Sequence, residues 1–376
     1  MKDIFICSDN ILSPIGSTSA ENFVQLSNLV SGIKRHDEGS ISEQPFYASL
    51  FKGDENFTKE KTAYTKFEQL LIASVSDALK NSSVQPADNK TILIISSTKG
   101  NISLLETEKV DASLKTRMAL HHSAKLVAEH FQFANKPIVI SNACISGLLA
   151  IITGMRLIRS GQYDHAVIAG ADVISKFVLS GFQSFQAVSS GRCKPFDETR
   201  DGINLGEGAA TMIISADKTK SKGIKIVSGS VSNDANHISG PSRTGEELFQ
   251  AIRISMKDAG LSANDIDLIS AHGTATVYND EMEAKAITLA GLEAVPVNSL
   301  KGNYGHTLGA AGLIESIISA HSLMQNKVLP TLGFKQMGVS KPLNIPVAID
   351  ERPLKNCLKT ASGFGGCNAA IVMSKQ

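Results

Sequence analysis

Two long apolar segments, one in each half of the chain, restrict the fold more than any other feature of the sequence. Residues 145–159 and 308–325 have the length of helices, and apolar side chains cover most of the circumference of each. A helix of this kind has no polar face for water, so we expect both helices to lie in the interior, between sheets. Each follows a short apolar run and a turn of small residues, which indicates a possible internal duplication of architecture.

Short apolar runs alternate with longer helical patterns along the whole chain. Continuous apolar runs of this length are typical of strands that helices cover on both faces. The sequence therefore predicts an α/β fold. The predicted strands are residues 91–96, 137–140, 165–170, 210–215, 267–270, 295–298 and 369–373. A charged stretch at residues 217–223 is a candidate boundary between the halves, and an ordinary loop explains it equally well.

The composition excludes several classes of protein. A formal net charge of +1 over 376 residues lacks the basic excess of a nucleic-acid binder, and the chain is too apolar to be disordered. The five cysteines are scattered and form no CxxC pair, so we expect neither a zinc site nor a disulfide framework. We expect the protein to lie in a reducing cytoplasm. No run approaches the roughly 18 apolar residues of a membrane span, and we expect neither a signal peptide nor membrane binding.

Cys144 follows the predicted strand at residues 137–140 and directly precedes the first buried helix. A thiol at a helix N-terminus meets unpaired backbone N–H groups and the positive end of the helix dipole, both of which favour the thiolate. The dipole contributes about 0.3–2 kcal/mol and one pKa unit is about 1.4 kcal/mol, so we expect the dipole to lower the pKa of Cys144 by roughly one unit. Taken alone, the cysteine is better explained as a small buried apolar residue.

His272 leaves the C-terminal end of the predicted strand at residues 267–270. Sheets of α/β proteins place ligands and catalytic groups at these strand ends. The hydroxyl groups of Thr274 and Thr276 add hydrogen-bond donors beside the imidazole. One histidine in such a turn is more often a structural polar residue than a catalyst, so the assignment needs further residues.

A second histidine, His306, ends the turn at residues 298–306 that leads into the second apolar helix. Its glycines let the backbone turn sharply, so Lys301 and His306 could face one pocket. Glu315 lies on the helix that follows. If this carboxylate is buried it needs a cationic partner, and Lys301 is the candidate; an exposed polar stripe with Ser316 and Ser319 is the alternative.

The segment at residues 362–368 places three glycines around Phe364, directly before the last predicted strand. This composition predicts a tight hairpin whose backbone amides face a site, although a plain hairpin turn is an equal interpretation. Cys367 is interpreted as structural.

These four motifs, in this order, resemble the ketoacyl synthases of fatty acid and polyketide synthesis, and specifically the decarboxylating class of synthases I and II. The combination is specific although each motif alone is weak. Further matching segments extend the resemblance across the chain, at residues 97–100 (STKG), 194–197 (KPFD), 200–208 (RDGINLGEG) and 363–366 (GFGG).

The resemblance implies a role for each candidate residue. Cys144 would carry the acyl chain, while His272 and His306 would hold the malonyl thioester carbonyl and assist the loss of carbon dioxide. Both histidines are hypothesised to be neutral, with the proton on Nε2. Lys301 would orient His306 and pair with Glu315.

Backbone amides complete the implied site. Those of Cys144 and Phe364 would form an oxyanion hole, a contact worth about 2.7–4 kcal/mol per donor. Phe364 and Gly365 would gate the two half-reactions, and Thr274 and Thr276 would contact a pantetheine arm. That arm arrives on the acyl carrier protein substrate, so no metal, redox group or other cofactor is expected.

The family also implies a fold and partners. We expect the thiolase fold, in which two duplicated αβαβαββ halves form a five-layered α-β-α-β-α core, with halves at residues 1–220 and 221–376. The implied reaction is a decarboxylative Claisen condensation with malonyl-acyl carrier protein, by a homodimer or a heterodimer with a second synthase-like subunit. The alternative is a non-catalytic chain-length-factor subunit, although such subunits usually lose the cysteine. A thiolase or a synthase III is disfavoured by the pair of histidines with Lys301.

Departures from the family pattern affect the acyl chain. Many members have phenylalanine where Ile203 and Ser362 stand here, so we expect a differently shaped pocket mouth. Residues 101–136 are also shorter than in typical fatty-acid members. Short relatives of this kind occur in aryl-polyene and flexirubin-type pigment pathways, which indicates an unsaturated or aryl-primed chain.

Acyl carrier protein is acidic, so a basic patch is expected at the pocket mouth despite the neutral net charge. The candidate residues are Lys59, Lys61, Lys66, Arg192 and Lys194. Ordinary solvated side chains are an equal interpretation.

Overall fold

The structure is a computed structural model that describes all residues except 1, 38, 40, 54–56, 59–63 and 236–239. In the described part of the chain, no helix is both long and apolar enough to cross a bilayer. The helices are α1 (Ser19–Ser27), α2 (Lys66–Lys80), α3 (Ala112–Met118), α4 (Leu120–His130), α5 (Ser146–Arg159), α6 (Lys176–Ser184), α7 (Glu246–Ala259), α8 (Val277–Leu289), α9 (Lys301–Tyr304) and α10 (Ala311–Gln325).

Short 3-10 turns and the strands complete the described elements. The strands are β1 (Ile4–Leu12), β2 (Lys34–His36), β3 (Phe46–Ser49), β4 (Thr91–Ser96), β5 (Ile138–Ile140), β6 (His165–Asp172), β7 (Leu205–Gly206), β8 (Gly208–Ser215), β9 (Ile224–Asn233), β10 (Leu268–Ser270), β11 (Val297–Asn298), β12 (Lys327–Val328), β13 (Asp350–Glu351), β14 (Asn356–Gly363) and β15 (Cys367–Lys375).

Ten strands form one large sheet whose two halves repeat the same topology. The N-terminal half has the order β1-β8-β6-β4-β5 and the C-terminal half β9-β15-β14-β10-β11. In each half, the strand that comes first in the chain pairs antiparallel with the strand that comes last, and this last strand also pairs antiparallel with the fourth in chain order. The remaining pairs are parallel. The halves meet through an antiparallel pairing of β1 with β9. The predicted duplication is confirmed, and the division at residue 220 stays a prediction.

Helices separate and cover the two halves of the sheet. The apolar helices α5 and α10 pack on each other, and each contacts strands of both halves. On the outer sides, α2 packs on β1, β6 and β8, while α7 packs on β9 and β15 and is flanked by α8. The layers are therefore α-β-α-β-α, and both predicted interior helices lie in the central layer.

The central helices approach closely because glycines lie at their contact. A Cβ atom added to Gly147 would lie 2.7 Å from the backbone nitrogen of Leu313, and one added to Gly312 would lie 2.8 Å from that of Leu148. Both positions face backbone, which cannot rotate away as a side chain could. Only glycine fits at this contact without moving a helix.

We therefore predict that Gly312→Val lowers the free energy of unfolding by an amount at the upper end of the roughly 1–3 kcal/mol that overpacking costs. The matched control is Gly181→Val in α6, where an added Cβ would meet nothing within 4 Å. Urea denaturation of the two variants measures the difference. Equal midpoints for both would show that the central helices tolerate a wider separation.

Candidate active site

The turn between β5 and α5 holds Cys144 in a constrained geometry. Ala143 has φ +44°, a left-handed conformation that an alanine rarely adopts. Ser146 locks the turn, because its hydroxyl donates to the Ala143 carbonyl at 2.6 Å and accepts from the Asn142 N–H at 2.8 Å. The sulfur of Cys144 is thereby fixed just before the N-terminus of a buried helix.

His306 lies directly against this sulfur. Its Nε2 is 3.0 Å from the Cys144 Sγ. The backbone of His306 is held on both sides, since its N–H donates to the Asn204 carbonyl at 2.6 Å and its carbonyl accepts from the Gly206 N–H at 3.0 Å. The segment at residues 200–208, to which the sequence analysis assigned no catalytic role, therefore places His306.

His272 completes a compact triad. The two imidazole rings lie edge to face, with centroids 5.1 Å apart and planes at 82°. The potential ligand atoms of Cys144, His272 and His306 all lie within 4.8 Å of one another, a geometry that a soft metal ion could use. Two buried lysines nearby, Lys301 and Lys359, oppose a divalent cation electrostatically, so the arrangement suits neutral or anionic ligands better.

Lys301 lies behind the histidines rather than in the pocket. Its side chain is 1% exposed, and its Nζ forms an ion pair with Glu315 and donates to the backbone carbonyl of His272 at 3.0 Å. The expectation that Lys301 faces the pocket and orients His306 is therefore wrong: the group that it contacts is the main chain of His272. Glu315 is buried, so the exposed polar stripe is excluded.

Three buried charged residues around the site were not predicted from the sequence. Lys359 forms a second ion pair with Glu315, with Nζ 2.8 Å from Oε2. Glu283 accepts the N–H groups of His272 and Gly273, both at 2.7 Å. The available signal for Lys359 was a charge inside a buried strand, whereas Glu283 lies in a helix with several other charged residues and had no such signal.

Asp172, the third of these residues, joins two turns of the fold. At the end of β6, its carboxylate accepts the Ser97 hydroxyl at 2.8 Å and the Gly309 N–H at 2.6 Å. The turn at residues 97–100 is thereby joined to the start of the second central helix. Asp172 therefore supports the backbone that directly follows His306.

The pKa of Cys144 moves opposite to the direction expected from the helix dipole. Burial raises it to about 12, and the neighbouring Cys367 adds to the rise. Lys301 and the Phe364 N–H, which donates to the sulfur, lower it without reversing the shift. Desolvation outweighs the dipole because the thiolate would be buried among apolar atoms. The resting group is therefore a thiol.

Both imidazoles are neutral at pH 7. Burial lowers the pKa of His272 and of His306 well below the usual value, and the ammonium groups of Lys301 and Lys359 lower both further. Within the described residues, Nδ1 of each ring is buried without a hydrogen-bond partner. At Nδ1, a buried N–H group without an acceptor is less favourable than a lone pair without a donor. The proton is therefore expected on Nε2 of each ring.

The thiol state of Cys144 predicts its reactivity towards alkylating agents. The rate of carbamidomethylation by iodoacetamide is expected to rise continuously with pH up to about 9.5, because the thiolate fraction increases throughout this range. Peptide mass spectrometry at several pH values measures the modification at Cys144 specifically. An inflection between about pH 5 and 7 would contradict the account, since it would reveal a preformed thiolate–imidazolium pair.

A cavity of about 340 Å³ opens onto the triad. Thr274 and Thr276 line it, as do Ile203 and Ser362, at the two positions where the sequence departs from the family pattern. Phe364 lies at its mouth, 38% exposed, with its ring stacked on Phe182 at 5.9 Å and edge-on to Phe185 at 5.4 Å. The remaining lining residues include Ala187, Asp234, Pro241, Tyr278, Asn279, Gly363, Gly366 and Asn368.

The predicted hairpin brings Phe364 to the nucleophile. β14 and β15 pair up to Gly363 and Cys367, which leaves residues 364–366 as the turn. A Cβ atom added to Gly363 would lie 2.9 Å from the Cys144 backbone nitrogen, so glycine is needed for the close approach. Gly365 is in the left-handed region at φ +85°. It shapes the turn that places Phe364 at the mouth of the cavity.

The predicted carrier-protein patch is only partly described. Lys59 and Lys61 lie outside the described residues. Lys66 forms an ion pair with the buried Glu207 at 2.7 Å, so its charge is already compensated. Arg192 is exposed, and Lys194 donates to the Thr199 hydroxyl at 3.0 Å. Among the described members, Arg192 has the most accessible charge.

Comparison with known proteins decides the family. The model of the β-ketoacyl synthase N-terminal domain matches residues 15–220, and that of the C-terminal domain matches residues 224–335. A 3-oxoacyl-[acyl-carrier-protein] synthase 2 from Vibrio cholerae is 30% identical over 410 residues, covering 99% of each chain. The chain belongs to the β-ketoacyl synthase family. As a ketoacyl synthase it is a condensing enzyme, and the thiolase alternative is excluded.

Solved structures of ketoacyl synthases share the fold. A β-ketoacyl synthase from Burkholderia phymatum aligns over 100% of both chains with a TM-score of 0.89 at 23% identity. A ketosynthase in complex with its chain length factor, from Xenorhabdus doucetiae, aligns with a TM-score of 0.88 at 23% identity, over 100% of this chain and 98% of that one. At these identities the likeness concerns the fold alone, which is the predicted thiolase fold.

Proposed function

We propose that this ketoacyl synthase is a cytoplasmic enzyme that condenses an acyl group, carried on Cys144, with malonyl-acyl carrier protein to give a β-ketoacyl-acyl carrier protein. The observation that carries the proposal is the contact of a buried thiol with one of two adjacent neutral imidazoles, 3.0 Å from Sγ to Nε2. Such a set forms a covalent thioester and then stabilises an enolate.

The first step is transfer of the acyl group. The Cys144 sulfur attacks the carbonyl of the incoming thioester, and the oxyanion that forms is stabilised by the backbone N–H groups of Cys144 and Phe364. Collapse breaks the bond to the pantetheine sulfur. Because the thiol rests protonated, its proton leaves as the new S–C bond forms and passes to the departing pantetheine thiolate.

The second step is decarboxylation of the malonyl thioester. The bond to the carboxylate breaks, carbon dioxide leaves, and its electron pair becomes the enolate. The Nε2–H groups of His272 and His306 donate to the enolate oxygen, which needs no proton transfer because both rings are neutral donors. The apolar cavity and the Phe364 side chain at its mouth limit the access of water to the enolate.

The third step joins the two carbon chains. The enolate carbon attacks the carbonyl of acyl-Cys144, and the oxyanion again lies at the backbone N–H groups. Collapse releases the β-ketoacyl product and the Cys144 thiolate, which takes up a proton from solvent. The enzyme returns to its resting thiol.

An exposed sheet edge supports pairing with a second subunit. β5 ends the ten-stranded sheet, and its apolar residues Ile138, Val139 and Ile140 are only half-buried. An unpaired apolar edge strand is a template for another strand. We propose that a second copy of the chain, or a related subunit, pairs there. The ketosynthase from Xenorhabdus doucetiae also forms a complex, with its chain length factor.

The second candidate is a chain-length-factor-like subunit, which the cavity and the likeness to that complex would accommodate. The intact triad favours the catalytic reading, since a purely structural subunit needs neither Cys144 nor the two histidines. The identity of the acyl chain, including an unsaturated or aryl-primed one, stays a prediction.

A condensation assay separates the two functions. The protein is incubated with a panel of acyl-acyl carrier proteins and malonyl-acyl carrier protein labelled with ¹³C, and products are measured by mass spectrometry. A β-ketoacyl product two carbons longer, with release of carbon dioxide, is expected from this chain alone. Activity that requires a second synthase whose own cysteine is intact would support the subunit reading instead.

A further inference from the structure

Lys359 is a buried cation surrounded by oxygen atoms beside the triad. It lies in β14 and is 0% exposed. Its Nζ donates to the carbonyls of Thr360 at 2.6 Å, Ser270 at 3.1 Å and Ala271 at 3.2 Å, and lies 2.8 Å from the Glu315 Oε2. Four oxygen atoms of the protein therefore surround the ammonium group.

The location is unfavourable for a lysine unless the charge has a use. Burying an ammonium group is costly, and replacing buried ion pairs with apolar residues of similar size is often neutral or stabilising. The rest of β14 is apolar or weakly polar, with Leu358 and Ala361 fully buried beside Lys359. Stability alone therefore does not account for the charge.

The contacts of Lys359 converge on the backbone that carries His272. Lys359 holds the carbonyls of Ser270 and Ala271, and Lys301 holds the next one, that of His272. On the other side, Glu283 holds the N–H groups of His272 and Gly273. The main chain at the catalytic imidazole is therefore fixed by charged groups on both sides.

The same groups set the electrostatics of the two imidazoles. The charges that face them are Lys301 from α9, Lys359 from β14, Glu315 from α10 and Glu283 from α8, with Asp172 of β6 near Cys144. Of the first four, two are positive and two negative. Loss of the Lys359 charge leaves the set net negative, which would favour protonation of both rings.

We propose that Lys359 is a positioning residue of the decarboxylation step, a built-in cation that fixes the backbone of His272 and, together with Lys301, opposes protonation of both imidazoles. This inference rests on the proposed function, because it assigns Lys359 to one of its half-reactions. Acyl transfer to Cys144 needs neither His272 nor its orientation. The rate of acyl transfer is therefore expected to be much less sensitive to the loss of Lys359 than the rate of decarboxylation.

The test compares two half-reactions in Lys359→Met, which keeps the length of the side chain and removes the charge. The rate of carbon dioxide release from malonyl-acyl carrier protein is expected to fall about 10- to 100-fold at pH 6. The reasons are that the His272 imidazole loses its position and that it becomes protonated. The loss is expected to be smaller at pH 8, and millimolar ammonium chloride is expected to restore part of the activity by entering the vacated oxygen cage. Loading of Cys144, followed by intact mass, is expected to change little.

The matched control is Lys375→Met on the neighbouring strand β15. The Lys375 ammonium also contacts oxygens, the Asn326 Oδ1 at 3.0 Å and the Met324 carbonyl at 3.5 Å, but at the opposite end of the strand from the triad. It is expected to retain the pH profile of the parent protein. Lys359→Gln, which keeps a hydrogen-bond donor, serves if Lys359→Met fails to fold, and its pH profile is expected to shift in the same direction.

The outcomes separate the inference from the function on which it rests. If the parent protein neither loads Cys144 nor releases carbon dioxide, the proposed function itself fails. If the parent protein does both and Lys359→Met or Lys359→Gln keeps its decarboxylation rate at pH 6, Lys359 is not a positioning residue. If neither variant folds, a histidine inflection between about pH 6 and 7.5 in the parent profile would overturn the inference, and a flat profile supports it.

Discussion

Replacing Glu315 with glutamine is expected to lower the free energy of unfolding by about 3–5 kcal/mol, the cost of removing one partner of a buried ion pair. The carboxylate serves two ammonium groups, those of Lys301 and Lys359, whose side chains are 1% and 0% exposed. Both charges would remain buried without a counter-ion. Urea denaturation at pH 7 measures the loss.

The loss should depend on pH in a defined direction. Burial already lowers the pKa of Lys359, and removal of the Glu315 charge would lower it further, because that carboxylate stabilises the ammonium form. The loss in free energy of unfolding is therefore largest at low and neutral pH. It diminishes as the pH rises, because a buried lysine then loses its proton.

The control for this experiment is Glu351→Gln. Its ion pair with Lys327 spans 3.1 Å, but the two side chains are 70% and 32% exposed, so the pair is expected to contribute less than about 1 kcal/mol. Equal losses in the two variants would mean that the buried carboxylate does not hold the two lysines, and the account of the charge cluster would be abandoned.

Alanine at His272 or at His306 is expected to reduce condensation by about 10²–10³ in kcat, the usual effect of removing one donor to an oxyanion. The effects of the two changes are expected not to multiply in the double variant, because the donors act on one oxygen as a unit. Steady-state assays of β-ketoacyl product measure the loss.

The two histidines should differ in the loading step. The His306 Nε2 contacts the Cys144 sulfur, so His306→Ala is expected to slow acylation as well, whereas His272→Ala should load at the parent rate. His165→Gln is the control, since its ring contacts the Ser215 hydroxyl away from the pocket. Equal loading by the His272 and His306 variants would contradict the separation of roles.

Much of the fold could be predicted because its central elements are apolar on all sides. The seven predicted strands and the two interior helices are present, with boundaries shifted by at most three residues. Three strands of the large sheet were missed. One is β14, and the other two are β1 and β9, the first strand of each half. Both mix polar with apolar residues, as in the β1 sequence IFICSDNIL, and their pairing partners are distant in the sequence. Only the assembled sheet shows that they join its two halves.

The residues of the triad could be predicted, but their energetics could not. Motif order placed Cys144 at a helix start and both histidines after strands, where the structure has them. The pKa of Cys144 depends instead on burial, which the local sequence does not report, so the helix dipole was overvalued. The contacts of Lys301 likewise depend on how the chain between His272 and Lys301 folds back.

Long-range charge pairing was the least predictable feature. Lys359 and Glu315 are 44 positions apart, and neither spacing nor periodicity relates them. A charged residue inside a buried strand indicates that a partner exists without indicating which one. The tertiary structure identifies it and also shows that one carboxylate serves two lysines.

Cys144 is proposed to carry the acyl group during condensation. Intact-mass spectrometry after incubation with an acyl-acyl carrier protein tests it most directly, using the parent protein, Cys144→Ala and Cys367→Ala, the last as a control with a neighbouring buried thiol. We expect one acyl adduct in the parent and in Cys367→Ala, discharged by malonyl-acyl carrier protein, and none in Cys144→Ala. An adduct that persists in Cys144→Ala would contradict it.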